Sequence, residues 1–189
     1  MPFTDFRTGH GCRNREQGTP LTRTTVHSVT FAVSLALLSL GAFDADAASL
    51  TRRVEVATAP SDVWSAIGPF CAIKNWLPPV GTCTEDGKAP PTRTLVSTDG
   101  NSVFVELQTA RSDARHFYSY TFISSPLPVT HYTSTISVAA KAKGLSIVTW
   151  RGTYTPKRGK ENEAHAALAA IYRSGLDAIK SRFAQSSRP

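Results

Sequence analysis

One long helical stripe closes the chain, and most of what precedes it reads as strand. Ala164, Leu168, Ile171, Leu176, Ile179 and Phe183 recur at steps of three to five residues between Glu161 and about Ala184. That spacing lines apolar side chains along one face of an α-helix. Glu161 and Glu163 suit the positive end of its dipole, and Lys180 and Arg182 the negative end. Gly175 lies inside the stripe, where glycine weakens a helix. It reads as close packing on a sheet, with room for a ligand as the sharper alternative.

Six strand-like runs precede the helix: Gly81–Glu85, Thr92–Ser97, Ser102–Thr109, Phe117–Ile123, Tyr132–Val138 and Leu145–Tyr154. Asp99-Gly100, within the turn Thr98–Asn101, predicts a tight hairpin whose central residues take positive φ. Pro126 and Pro128 interrupt the sheet, since proline cannot donate to a ladder. Leu50–Ala57 is a first strand, with Leu50, Arg52, Val54 and Val56 on one face. Pro60 and Asp62 open a short helix that Gly68-Pro69 ends. A second short helix, from about Cys71 to Leu77, stops at Pro78-Pro79. Helices segregated from a mostly antiparallel sheet of about seven strands define the α+β class.

The N-terminal quarter is of another kind. Val29–Phe43 is an apolar stretch of signal-peptide length, short for a bilayer span. Arg23 precedes it and Ala45-Asp46-Ala47 follows, giving the order basic, apolar, small that marks a secretory signal over residues 23–47, cut before Ala48. A buried core helix and a retained membrane anchor are the alternatives. Residues 1–22 are polar and aperiodic, and read as a disordered or mis-assigned extension. Met1 is the sole methionine, so initiation at a non-Met codon nearer the apolar stretch, at Leu21 or Val26, is expected. N-terminal peptides covering residues 2–15 in the cell would refute that start.

The remainder, residues 48–189, is then one exported domain, periplasmic or extracellular, with no stable membrane anchor after cleavage. Its 142 residues suffice for one core. It holds 17 Lys and Arg against 10 Asp and Glu, but scattered, the densest group being Lys157, Arg158 and Lys160 in a loop. No basic helix or nucleic-acid motif accompanies them, which argues against a nucleic-acid partner. Cys71 and Cys83 form an even pair that an oxidising compartment would bridge, two buried free thiols being the alternative. Neither has the neighbours of a metal site, and no cofactor motif is present. No feature sets an oligomeric state.

Several stretches, in this order, resemble one superfamily. They are Val54-Glu55-Val56 with Ala59-Pro60-Ser61-Asp62-Val63-Trp64; Phe70 to Pro78 (FCAIKNWLP); Tyr118-Ser119-Tyr120 followed by Pro126-Leu127-Pro128-Val129 and Tyr132; Val148-Thr149-Trp150; and Ile171 to Asp177. Together they look like the START-like, or SRPBCC, superfamily, and within it the small bacterial polyketide cyclase/dehydrase-like proteins. The resemblance covers nearly all of residues 50–184. It implies a helix-grip fold, a curved antiparallel sheet wrapped round the C-terminal helix, with a cavity between them that varies freely among members.

In such a fold alternate strand residues face the cavity. Tyr118, Tyr120 and Phe122 share one strand face, and Val148, Trp150 and Tyr154 another; Tyr132 joins them if its strand keeps phase. With Trp76 near Pro78-Pro79 at the mouth, and Leu168 and Tyr172 from the helix, they form the candidate ligand-binding set. Apolar walls with a few convergent polar groups are typical of small-molecule pockets. An ordinary core, each hydroxyl bonded to backbone, is the alternative. Trp64, beside Val63 and Ile67, reads as core.

Catalytic candidates are few. Glu106 is the one acid within a strand of the hairpin region; Val103, Val105 and Leu107 place it toward water, while Phe104 places it inward. Buried, its pKa would rise and it would serve as a general base. His116 and His131 fall on the face opposite the tyrosines and read as surface residues. The expected function is binding of a small hydrophobic molecule, lipid-like, aromatic or polyketide-like. The alternatives are a cyclase/dehydrase-type enzyme using acid–base chemistry in the same cavity, and an accessory protein without a ligand.

Overall fold

The computed structural model describes residues 46–186. The expected extension, residues 1–22, and nearly all of the expected secretory signal, residues 23–47, lie outside the described residues. Seven strands and two α-helices follow one another as β1 (Ala48–Val56), α1 (Pro60–Ile67), a 3₁₀ helix (Phe70–Asn75), β2 (Val80–Glu85), β3 (Thr92–Ser97), β4 (Val103–Ser112), β5 (Phe117–Ser124), β6 (Val129–Ala142), β7 (Leu145–Pro156) and α2 (Glu161–Ser186). All strands join one antiparallel sheet in the order β1-β7-β6-β5-β4-β3-β2. The sheet is a hairpin meander from β2 to β7 with β1 returned to its far edge. This is the helix-grip arrangement, with α2 packed against β1 and β7.

Pro60 stands in the first turn of α1, and the helix buries Val63, Trp64 and Ile67. Gly68 ends it because nothing larger fits: a Cβ there would come within 2.6 Å of the Trp64 ring. The second short helix is 3₁₀ rather than α, as suits a six-residue segment between Pro69 and the Pro78-Pro79 pair. The turn at residues 98–101 departs from the expected hairpin type. Only Gly100 takes positive φ, at 75°. Asp99 instead accepts from the Asn101 amide at 3.0 Å and from the Ser97 hydroxyl, so its carboxylate holds the longer loop.

The core lies between the concave face of the sheet and α2. Val148, Trp150 and Tyr154 of β7 are buried, as are Tyr118 and Tyr120 of β5. Tyr132 keeps phase with them through a bulge in β6 at Thr130/Thr133, where His131 takes φ 50°. Leu168, Tyr172, Leu176 and Ile179 cover these rings from α2. Gly175 sits where the helix comes nearest: a Cβ would lie 2.9 Å from the Trp150 ring, 3.0 Å from Leu77 and 3.1 Å from the Trp76 ring. Close packing thus accounts for it. Cys71 and Cys83 are joined in a disulfide that ties the 3₁₀ helix to β2, with 5.5 Å between their Cα atoms.

Candidate functional site

The concave side of the sheet is not completely filled. A cavity of about 250 Å3 lies among β2–β7, the 3₁₀ helix and α2. Leu95, Glu106, Tyr120, Tyr132, Trp150 and Leu168 are buried in its wall, while Val80, Ser97, Ser102, Leu127 and Ile171 border it half-exposed. Its surface is mostly apolar, with the polar groups confined to a few side chains.

Glu106 is the side chain whose placement differs most from the alternation of Val103, Val105 and Leu107. It is 4% exposed and points inward with Phe104, as half of the sequence signal had it. The physical reason is on the neighbouring strand. Arg93 of β3 stands directly opposite Glu106 in the ladder and is fully buried. Arg93 Nε donates to Glu106 Oε2 at 2.6 Å, and Nη2 lies at the same distance from that oxygen. Nη1 donates to the Phe70 carbonyl, and the guanidinium lies 4.0 Å over the Phe70 ring. A buried charge is tolerated when paired and hydrogen-bonded, so the arginine makes an inward glutamate possible.

Desolvation alone would lower the Arg93 pKa, but the Glu106 carboxylate together with Tyr118 and Tyr120 outweighs it and holds the guanidinium protonated. Desolvation likewise pushes the Glu106 carboxyl above the ordinary carboxylate range, against the pull of Arg93. Both Arg93 contacts fall on Oε2; Oε1 accepts no hydrogen bond from the described residues.

Behind the cavity wall the hydroxyls are tied together. Ser134 Oγ donates to the Arg151 carbonyl at 2.9 Å. Trp150 Nε1 lies 2.9 Å from Ser134 Oγ and 3.2 Å from Tyr120 Oη. Tyr172 Oη is 2.9 Å from Ser134 Oγ and 2.7 Å from Tyr132 Oη, which is 3.4 Å from Tyr120 Oη. Burial pushes Tyr120 and Tyr132 well above the ordinary phenol value and Tyr172 up to about 12. All three therefore keep their protons at neutral pH.

The sequence candidates fall into two groups. Tyr120, Tyr132, Trp150, Leu168 and Glu106 line the cavity. Trp76, Tyr118, Tyr154 and Tyr172 are buried elsewhere in the core. Trp76 is not at a rim: it packs edge-on against Trp150 at 5.5 Å between ring centres. Tyr118 packs on Phe70 and Trp64, Tyr172 stacks on Trp150 at 4.3 Å, and the Tyr154 hydroxyl lies 3.1 Å from His165 Nδ1. Trp64 is core, with its Nε1 donating to Asp113 at 2.9 Å. His131 is exposed, and His116 is half-buried against Trp64. Phe104 and Phe122 also border the cavity, as strand alternation places them, while Arg93 and Ser134 were absent from the sequence reading. Their signal was available only as the inward phase of Arg93, Leu95 and Ser97 on β3, which needs the strand pairing to be seen.

A seven-stranded helix-grip sheet with a partly apolar cavity against its long helix is the architecture of the SRPBCC class. The chain belongs to the family described as polyketide cyclase / dehydrase and lipid transport, whose model matches residues 47–184. Among solved structures it is similar to the protein XoxI from Bacillus cereus, at 31% identity and TM-score 0.70, over 75% of this chain and 99% of that one. An uncharacterized protein from Bacillus thuringiensis is also 31% identical, with TM-score 0.68, over 72% of this chain and 98% of its own. The Zhui aromatase/cyclase from Streptomyces sp. R1128 shares the fold at 15% identity and TM-score 0.62, over 76% of this chain and 97% of that one. No curated protein matches the chain significantly.

Proposed function

We propose that the protein binds a compact hydrophobic molecule in the cavity between sheet and helix. The observation that carries this is the cavity itself: apolar over most of its surface, yet fitted with one buried carboxylate, Glu106, and two phenols, Tyr120 and Tyr132. Its size narrows the ligand. A cavity of ~150 Å3 takes benzene, so about 250 Å3 suits one ring or a fused pair, on the order of 10 heavy atoms. A two-chain lipid or a full-length polyketide would not be enclosed. The family description, which joins cyclase/dehydrase chemistry with lipid transport, agrees with a hydrophobic ligand. Native mass spectrometry of protein from its own host should show a bound adduct of small mass. Adduct-free protein that also fails to take up naphthalene-sized compounds would overturn the reading.

Export is part of the same proposal. The basic, apolar and small segments of residues 23–47 support it, and so does the Cys71–Cys83 disulfide, a bond that persists in oxidising compartments. N-terminal sequencing of protein recovered outside the cytoplasm should begin at Ala48.

A second reading, acid–base catalysis of the cyclase/dehydrase kind, has one observation in its favour: Glu106 sits in the cavity wall with a raised pKa. It ranks second because Oε2 is held by Arg93. Neither His116 nor His131 borders the cavity to pass a proton on. Turnover of a cavity-sized substrate that disappears in Glu106→Gln would reverse the ranking.

A further inference from the structure

The hydroxyl network behind the cavity has a direction that proton counting determines. The Arg151 carbonyl can only accept, so Ser134 must give it its single proton at 2.9 Å. The Tyr172 hydroxyl, 2.9 Å from Ser134 Oγ, must then donate to it. Tyr132 in turn must donate to Tyr172 at 2.7 Å. Trp150 Nε1 has only a proton to give, and gives it to Ser134 and Tyr120. The chain therefore ends at Tyr120. Among the described residues its proton has no acceptor except Tyr132 Oη at 3.4 Å, beyond the range of a good O–H···O bond.

The cavity wall thus offers one uncommitted donor, Tyr120 Oη, and one uncommitted acceptor, Glu106 Oε1, on residues 2% and 4% exposed. Ser97 and Ser102 border the cavity half-exposed, on the turn between β3 and β4 rather than in its buried wall; Ser97 Oγ is engaged by Asp99 and the Ser102 amide, and the Ser102 hydroxyl stands on that half-exposed side. Buried donors and acceptors left without partners are costly, so a matching ligand must answer both. A hydroxyl group is the smallest that does, having one proton to give and lone pairs to receive. A carboxylate would meet Glu106 as a like charge, and an ether would leave it unanswered.

Resting on the reading of this cavity as a ligand site, we infer that the ligand is a compact, neutral ring molecule bearing a hydroxyl group. Its proton goes to Glu106 Oε1 and its oxygen accepts from Tyr120 Oη. The inner wall thereby sets the ligand's orientation as well as its polarity.

Four compounds on one skeleton test this with the disulfide-bonded protein: naphthalene, 2-naphthol, 2-methoxynaphthalene and 2-naphthoic acid, their affinities measured by equilibrium dialysis. 2-Naphthol should bind at least tenfold more tightly than naphthalene and its methyl ether, and the acid most weakly. Tyr120→Phe, which removes the donating hydroxyl and leaves Trp150 Nε1 its nearer acceptor, Ser134 Oγ at 2.9 Å, should cost 2-naphthol about fivefold or more and cost naphthalene less. Glu106→Gln replaces the acceptor by a donor and should move the preference toward the methyl ether. If 2-naphthol and its methyl ether bind equally to the wild type, the hydroxyl assignment is wrong while the cavity reading stands. If none of the four binds, both fall.

Discussion

Arg93 and Glu106 form the ion pair that a polar-outside, apolar-inside pattern would not place in a core. Breaking such a pair leaves a buried charge unanswered, whereas replacing both members with apolar residues is often nearly neutral. Arg93→Met alone should therefore cost ~3–5 kcal/mol, and the double variant Arg93→Met, Glu106→Leu should recover most of it; urea denaturation of the three proteins measures the difference. The pair also sets a pH signature. Burial raises the Glu106 pKa above its ordinary 4.5, so the folded state binds that proton more tightly than the unfolded one. Its contribution is fully present below the unfolded value and is lost as pH rises through the folded one. Wild type should thus lose stability relative to Glu106→Gln as pH climbs above 4.5, read as the difference between two urea midpoints across pH; a difference that does not vary with pH would count against it. At this scale Tyr120 and Glu106 differ in legibility. The tyrosine's inward phase follows from plain alternation, whereas the glutamate's depends on a partner 13 residues away on another strand.

At the scale of elements, α2 and the disulfide decide how tightly the cavity is closed. Glycine in a helix interior costs ~1 kcal/mol against alanine, so on propensity alone Gly175→Ala would stabilise α2. The Trp150 ring prevents it: a Cβ would press on that ring at 2.9 Å, and stacking on Tyr172 keeps the ring from moving aside. The substitution should instead lower stability by ~1–3 kcal/mol, seen as a lower thermal midpoint. The Cys71–Cys83 bridge closes a loop with a sequence separation of 12; paired Cys→Ser substitution should cost ~3 kcal/mol, measured by denaturation against the oxidised wild type. The bridge was legible as a pair of cysteines. The 3₁₀ form of the segment it anchors was not, since short apolar runs between prolines suit either kind of turn.

For the whole molecule, the unfilled volume under the sheet is the feature on which function turns. Leu168 is buried in the cavity wall on the helix side. Leu168→Trp should fill part of that volume, cost ~1–3 kcal/mol through overpacking, and weaken binding of a naphthalene-sized compound at least tenfold. In the wild type the same compound should raise the denaturation midpoint, by ~2.7 kcal/mol at a hundredfold excess over Kd. A thermal shift that survives in Leu168→Trp would place the compound elsewhere.

The sequence by itself determined the element order, the α+β class and the inward phase of Tyr118, Tyr120, Val148 and Trp150, because these follow from local periodicity and turn chemistry within single segments. It also pointed to the family, through motifs spread along the domain. Only the tertiary structure decided which aromatic rings border empty space and which are packed against one another. That division rests on the strand order and the approach of α2 at Gly175, where Trp76 and Tyr172 pack on the Trp150 ring and close the core while Trp150, Tyr120 and Tyr132 border the cavity. It likewise decided the side on which Glu106 lies, since a charge turns inward only where a counter-charge on another strand is already in place.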